Sequence, residues 1–525
     1  MTYTTSSADG TVTVLDPASP STPLRSGKHW ITHWDPENEQ FWESTGKRIA
    51  RKNLWFSVFA EHIGFSIWVL WTIIVINLGN AGITLTLSQQ FWLTAVPNLV
   101  GSALRIPYTF AIPRFGGRLW TAISAALLLI PTLLLAFLVP SGWLLHQPHG
   151  TQFWVLLACA ATAGFGGGNF SSSMANISFF YPEGKKGLAL GLNAAGGNLG
   201  VAVAQLFMPL VLIIGVPAAA VKLTKHQVHL SYAGLVWLPL IVLAASFAWF
   251  KMDSLSQAKT DKKAYVRAMT SKQTWLMSVL YIGTFGSFIG YSFALPLVIK
   301  NTFPEFLAHH VFIATYLAGL GFIGALIGSV ARPFGGWLSD RLGGARVTIV
   351  CFLGMGIATL IAISAVKNHS FPVFFGAFMV IFLLSGMGNG STYRMIPAIF
   401  AALGRSHAAG DGDEPKRIAL DYKRQAAAVL GIAGAIGAFG GFLIQVAFRE
   451  SSLHVSALVK AAKGKTPQET LDAKLAVAQA HADWSVSALW VFFAAYIVLA
   501  AITWFCYLRR SLLTNKFPSM ASASI

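Results

Sequence analysis

The sequence predicts an all-α membrane protein with twelve transmembrane helices in two pseudo-symmetric six-helix bundles. Three observations carry that expectation. Of 525 residues, 54% are hydrophobic and only 11% charged, with a mean hydropathy of +0.59; a soluble domain carries about a quarter charged residues. Apolar runs recur along nearly the whole chain, each near the roughly 20 residues that cross about 30 Å of hydrocarbon. The second half also repeats motifs of the first at fixed offsets. Together these exclude disorder, a coiled coil and a cytosolic enzyme. An outer-membrane barrel would show short alternating segments instead.

Residues 1–24 are rich in Ser and Thr, and residues 1–50 hold no apolar core, so no cleaved signal peptide is expected. Residues 1–52 read as a cytoplasmic tail. The spans fall at 53–79, 88–112, 118–140, 153–180, 187–215, 230–251, 274–299, 309–337, 346–366, 372–401, 424–448 and 485–508. The first six (53–251) and the last six (274–508) are joined by a basic cytoplasmic linker, 252–273, and residues 509–525 form a second cytoplasmic tail. Between spans 11 and 12, the polar segment 449–484 reads as a periplasmic helical insertion. Within it, Thr466-Pro467-Gln468-Glu469 has the form of a capping box with proline at the first helical position. With both termini in the cytoplasm, 26 of the 38 Lys and Arg fall inside, nine outside and three within spans, the asymmetry expected of inner loops. The net charge of +18 therefore reads as basic loops against a lipid bilayer, and no nucleic-acid partner is expected. Cys159, Cys351 and Cys506 are scattered in apolar runs with neither metal spacing nor a disulfide framework. No metal and no cofactor is expected.

The repeat is specific. Arg105, Arg114, Gly116 and Gly117 return as Arg332, Arg341, Gly343 and Gly344, each offset by 227. Gly168-Asn169, Ser171, Ser172 and Phe180 answer Gly388-Asn389, Ser391, Thr392 and Phe400, offset by 220. Leu190-Gly191, Gly197 and Gly200 answer Leu430-Gly431, Gly437 and Gly440, offset by 240. Two similar bundles facing a central cavity suit alternating access around a midplane site.

Arg105 and Arg332 are the sharpest chemical signal. Each has no charge within ten residues upstream and lies about nine residues before its cytoplasmic loop, about 13 Å of helix. A charge at that depth normally faces a cavity or a partner; the alternative is a structural arginine bonded to carbonyls. Acidic partners are scarce: Glu61, beside His62, lies in the inner half of span 1, and Asp340 ends span 8. A transported anion is then the natural counter-ion, and the planar guanidinium fork suits a small planar oxyanion. Closing an empty cavity around two unpaired cations costs several kcal/mol per ion, which favours anion exchange over uniport. Proton symport through Glu61 or His62 is the second reading. An anion channel and a non-transporting sensor are rivals of other classes, disfavoured by the gating-type glycines and by the lack of a sizeable soluble domain.

Glycines at three- and four-residue spacing let helices approach and slide. Gly164, Gly168, Gly196, Gly197, Gly388 and Gly437 are the gating candidates, although most such glycines serve packing alone. Buried amides at Asn169, Asn176, Asn193 and Asn198 should point inward, and Phe170, Tyr281 and Phe285 can line a cavity where a ring stacks on a planar anion. The loop Gly336-Trp337-Leu338-Ser339-Asp340-Arg341-Leu342-Gly343 offers an acid that can bond a neighbouring helix in one conformation and release it in another.

These residues resemble the major facilitator superfamily and, within it, the nitrate/nitrite porters. The loop ending Asp340-Arg341-Leu342-Gly343 is similar to the superfamily's signature loop. The run from Ala163 to Phe180, continuing through Gly187–Gly200, resembles the first nitrate signature, and Gly386–Phe400 with Gly431–Gly441 resembles the second. The entry segment from Phe41-Trp42 to Asn53-Leu54-Trp55 is similar to the bacterial exchanger branch. The resemblance covers about residues 33–508. It implies a bacterial inner-membrane protein that exchanges nitrate for nitrite in nitrate respiration or denitrification; a monomer is expected. It also implies that Arg105 and Arg332 clamp the anion, with Phe170, Asn193, Asn198, Tyr281 and Phe285 at pocket positions. Two departures stand out: the longer 449–484 segment, and Arg394 beside the second signature, which either alters the pocket or faces the cytoplasm.

Overall fold

In the computed structural model, which describes residues 4–6, 12–14, 25–221, 227–258, 262–317, 320–410, 415–461, 483–509 and 520, the apolar runs are helices. We number the principal ones α1 (Lys47–Val69, continued by Trp71–Asn77), α2 (Leu87–Thr109), α3 (Gly117–Leu127), α4 (His149–Phe180), α5 (Glu183–Leu212), α6 (Leu238–Lys251) and α7 (Lys262–Thr270). Then come α8 (Lys272–Tyr281), α9 (Ser287–Thr302), α10 (Gly321–Leu342), α11 (Gly344–Lys367), α12 (Phe371–Gly410), α13 (Pro415–Ala461) and α14 (Val486–Thr503). Ten helices among the described residues are long and apolar enough to cross a membrane. The other two expected crossings, α2 and α10, are long enough at 23 and 22 residues. They are less apolar because each carries the arginine of its repeat, with Asn98 and Ser102 on α2 and Ser329 and Asp340 on α10.

Three expectations shift. Span 8 starts at Gly321, not near 309: the chain first makes two short helices, Pro304–His309 and Val311–Tyr316, and Leu320 then turns it at a φ of 69°. An apolar run of constant composition does not reveal such breaks. The helices α12 and α13, at 40 and 47 residues, overrun their expected spans; 47 residues make about 70 Å of helix, far more than a bilayer core requires. The expected cap at 466–469 lies outside the described residues.

Helix contacts are set by the glycines. A Cβ on Gly166 would stand 2.0 Å from the Gly64 carbonyl oxygen, and one on Gly386 would stand 2.2 Å from that of Gly328. These are backbone-to-backbone approaches that no larger residue permits. Gly166 and Gly386 differ by the repeat offset of 220.

The two ends of the bundle differ. At one end, side chains from the two halves of the chain interlock. Gln205 on α5 donates to the Ser292 carbonyl at 2.6 Å, and Thr94 on α2 donates to Gln445 on α13 at 2.8 Å. Gln445 in turn donates to the Gly290 carbonyl at 2.7 Å. Gln205 and Gln445 stand 240 residues apart, the offset already seen for spans 5 and 11. Trp68 meets Phe293, and Phe91 stacks on Phe448. The other end opens into a cavity of about 1420 Å³.

Two small sheets form from the N-terminal segment and the linker, and the second of them borders that open end. The strands β1 (Thr4–Ser6) and β2 (Val12–Val14) pair with each other. Separately, β3 (Arg25–Ser26) pairs antiparallel with β4 (Trp30–Ile31), and β4 pairs parallel with β5 (Ser254–Leu255) in the linker. Ile31, Trp34, Phe41 and Trp42 then pack on Ile112, Phe180 and Leu255. Asp253, almost wholly buried, accepts from Lys52 at 2.7 Å and from Asn53. The final stretch of the N-terminal segment is thus part of the fold, and it fixes the start of the linker to α1.

Candidate anion site

The site begins with α2, which presents Arg105 into the bundle. Its side chain is fully buried. Nε donates to the Gly167 carbonyl on α4 at 3.0 Å, and Nη1 donates to the Gly434 carbonyl on α13 at 2.7 Å. Nη2 has no partner. Arg105 thus fills part of the structural role weighed above, with one nitrogen left over. Arg332 on α10 is less satisfied: Nη2 makes a long bond of 3.4 Å to the Tyr281 hydroxyl, and Nη1 has no partner. Neither guanidinium forms an ion pair with a carboxylate among the described residues.

Both arginines face one ring. The Arg105 Cζ lies 4.7 Å from the Phe170 centroid and the Arg332 Cζ 5.7 Å from it. Phe170 stacks on Phe285 at 6.1 Å, and Phe285 stacks on Tyr281 at 5.4 Å. Tyr281 and Phe285 flank and enter a π-helical turn, Ile282–Gly286; such turns are frequent at functional sites. Phe170 also lines the open cavity, as does Tyr393. The guanidinium groups therefore sit behind an aromatic floor.

The other expected residues fall in several places. Asn193 donates to Ser173 at 2.6 Å, and Ser173 also meets Ser57 at 2.9 Å. Asn198 is buried with neither amide atom bonded. Neither amide lines the cavity or bonds to the arginines. The six gating glycines are all close approaches. A Cβ would meet Val100 at Gly164, Leu104 at Gly168, Val58 at Gly196, Glu61 at Gly197, Thr284 at Gly388 and Tyr281 at Gly437, each at 2.4–2.8 Å. Asp340 accepts from Arg394 Nε at 2.5 Å, and Arg341 lies 4.2 Å over the Trp337 ring. Arg394 is thereby engaged at the loop, not at the ring stack.

Several neighbours escaped the sequence reading. Trp68 and Phe285 each lie against Arg105, at 5.7 and 5.0 Å, and Tyr393 lies 5.5 Å from Arg332. Of these, Trp68 and Tyr393 were not expected. Tyr393 had a signal: it is the 220-offset counterpart of Ser173. Trp68 had none beyond its place in an apolar run. Chemically, two buried cations with orphan N–H groups and a stack of ring faces can hold a small planar anion by fork and face together.

The Major Facilitator Superfamily profile matches residues 54–445. The chain is 36% identical to the nitrate/nitrite transporter NarU of Escherichia coli (strain K12), over 93% of this chain and 98% of that protein. It belongs to the nitrate/nitrite porters of the major facilitator superfamily. A second relative, the probable nitrate/nitrite antiporter NarK2 of Thermus thermophilus, is 35% identical over 80% of this chain and 89% of its own length. Among solved structures, a D-xylose-proton symporter matches with a TM-score of 0.59 at 15% identity, covering 90% of this chain and 99% of that one. A bacterial homologue of the human lysosomal transporter Spinster, inward-facing and occupied, matches with a TM-score of 0.58 at 17% identity, covering 86% and 95%. Those two likenesses establish the fold. The chain is a multi-pass membrane transporter of this superfamily and not an enzyme.

Proposed function

We propose that this porter exchanges nitrate for nitrite across the bacterial inner membrane by alternating access, with nitrate entering and nitrite leaving. The observation that carries this reading is the pair of orphan guanidinium nitrogens on Arg105 and Arg332, facing one Phe170 ring with no carboxylate among the described residues paired to either. The names of the NarU and NarK2 relatives supply the substrates. Phe170, Tyr281 and Phe285 would stack on or bond the anion beside the arginines, and Asn193 and Asn198 would reach it as the cavity closes. The halves 53–251 and 274–508 rock as bodies, Gly164, Gly168, Gly196, Gly197, Gly388 and Gly437 allowing the sliding, and Asp340 with Arg341 marking the inner switch. Both termini face the cytoplasm, the open cavity is the inward-facing state, and the porter works as a monomer.

Exchange follows from the charge. An empty cavity that closes leaves buried cations uncompensated, at several kcal/mol each, so the empty carrier returns slowly. The test is uptake of labelled nitrate into proteoliposomes. Uptake that needs internal nitrite and ignores a pH gradient fits exchange. Uptake driven by a pH gradient into anion-free vesicles would replace it by proton symport, and currents far above carrier turnover would indicate a channel.

A further inference from the structure

Glu61 is the one acidic side chain buried among the described spans near the arginines. Sequence position does not bring it to them; the fold does. Its Oε2 accepts from the Asn169 amide on α4 at 3.3 Å, while Arg105 donates to the carbonyl of Gly167 on the same helix, two residues earlier. Glu61 and Arg105 thus grip one turn of α4 from α1 and α2. Each has a loosely held buried atom: Arg105 Nη2 has no hydrogen-bond partner, and Glu61 Oε1 makes no well-formed hydrogen bond, the Ser173 hydroxyl being the other group that acts on the carboxylate. A loosely held carboxylate oxygen and an unpartnered guanidinium N–H in one dry neighbourhood are complementary, and each is costly while alone.

We propose that Glu61 is the resident counter-anion of Arg105: its carboxylate turns to the guanidinium when the cavity is empty and is displaced when a transported anion arrives. This rests on the anion-binding reading of the arginine pair and deepens it. Cargo then competes with a tethered carboxylate, so the affinity of the site is lower than its two cations alone would give. The empty carrier is partly compensated, so it returns slowly but measurably. Gly197 leaves the room for the swing: a Cβ there would meet the Glu61 Cγ at 2.8 Å. The charged and titratable groups around Glu61 are few. Arg105 faces it from α2; α4 offers Asn169 and Ser173; α5 offers Gly197; and on α1 itself His62 points its Nδ1 to the Gly196 carbonyl at 3.0 Å.

The experiment compares the full chain and Glu61→Gln in proteoliposomes and in detergent. Glutamine keeps the size and the Asn169 contact but removes the charge. Nitrate binding is read from tryptophan fluorescence, since Trp68 lies against Arg105, so this arm does not depend on transport. We expect nitrate to bind Glu61→Gln roughly tenfold more tightly. We also expect nitrate efflux into anion-free buffer to fall at least several-fold relative to nitrate–nitrite exchange. Unchanged affinity together with an unchanged efflux-to-exchange ratio would overturn the proposal. So would unchanged affinity with loss of pH-gradient-driven uptake, which would make Glu61 a proton carrier. If the variant does not fold, the wild-type protein decides: protonating the carboxylate removes the competitor, so nitrate affinity must rise as pH falls, and a flat or opposite trend refutes the role. Failure of exchange with tighter binding retained would sink the transport reading and leave this one standing.

Discussion

Replacing Arg332 by lysine tests the site where it is least tied to the protein. The guanidinium has one long bond, 3.4 Å to the Tyr281 hydroxyl, and an orphan Nη1. Its removal therefore costs the fold little. Lysine keeps the charge but supplies a point in place of a planar fork. A bound oxyanion then loses one charge-assisted hydrogen bond, about 1.5–3 kcal/mol, which at about 1.4 kcal/mol per decade weakens nitrate binding about 10- to 100-fold. Arg105→Lys should behave differently. That side chain also bonds the Gly167 and Gly434 carbonyls, so the variant should lose thermal stability as well as affinity. The assay is nitrate titration by intrinsic fluorescence, with melting curves and initial exchange rates on the same preparations. Near-normal nitrate affinity in Arg332→Lys would refute the reasoning, because it would show that the fork of Arg332 does not hold the anion.

Three other outcomes are expected. Tyr281→Phe removes the hydroxyl that Arg332 reaches; a charge-assisted bond stretched to 3.4 Å, taken at the low end for charged groups, about 1.5 kcal/mol, predicts a roughly tenfold change in nitrate affinity, read by the same titration, with exchange retained. Gln205→Leu and Gln445→Leu each cut a buried bond between the halves at the closed end, so each should raise labelling of a cysteine placed at that end, and the double variant should raise it further; unchanged labelling would show that the glutamines do not hold it shut. Gly437→Ala would put a Cβ 2.4 Å from Tyr281 Cδ1, whereas Gly434→Ala meets nothing within 4 Å. The first should cripple exchange and the second should leave exchange rates near wild type.

The two arginines and the glycine helices were legible because burying a charge or omitting a side chain is rare in a span and must have a local cause. The repeat raised the signal further by supplying each feature twice. Proximity across helices was not legible. Nothing in the spacing of Glu61 and Arg105 shows that they meet the same turn of α4, since helix rotation and crossing decide it. Tyr393 and Trp68 were hidden for a different reason: an aromatic in an apolar run has the same composition whether it faces lipid, core or cavity. The late start of α10 was missed because the short helix Val311–Tyr316 before it is as apolar as the span itself. The folding of residues 25–46 onto the bundle depends on pairing with a strand more than 200 residues away, which local composition does not encode.

On the exchange reading, one side chain would tie cargo to motion. Arg105 holds the Gly167 carbonyl with one nitrogen and the Gly434 carbonyl with another, and these carbonyls belong to opposite halves of the chain. When the halves tilt apart at this level, at least one of those links must let go. A freed N–H in a buried interior needs a new acceptor, and an oxygen of the passenger can supply it where the Glu61 carboxylate does so in an empty carrier. The ion would then act as a replacement rivet, easing the tilt more while it is aboard than the tethered carboxylate does alone.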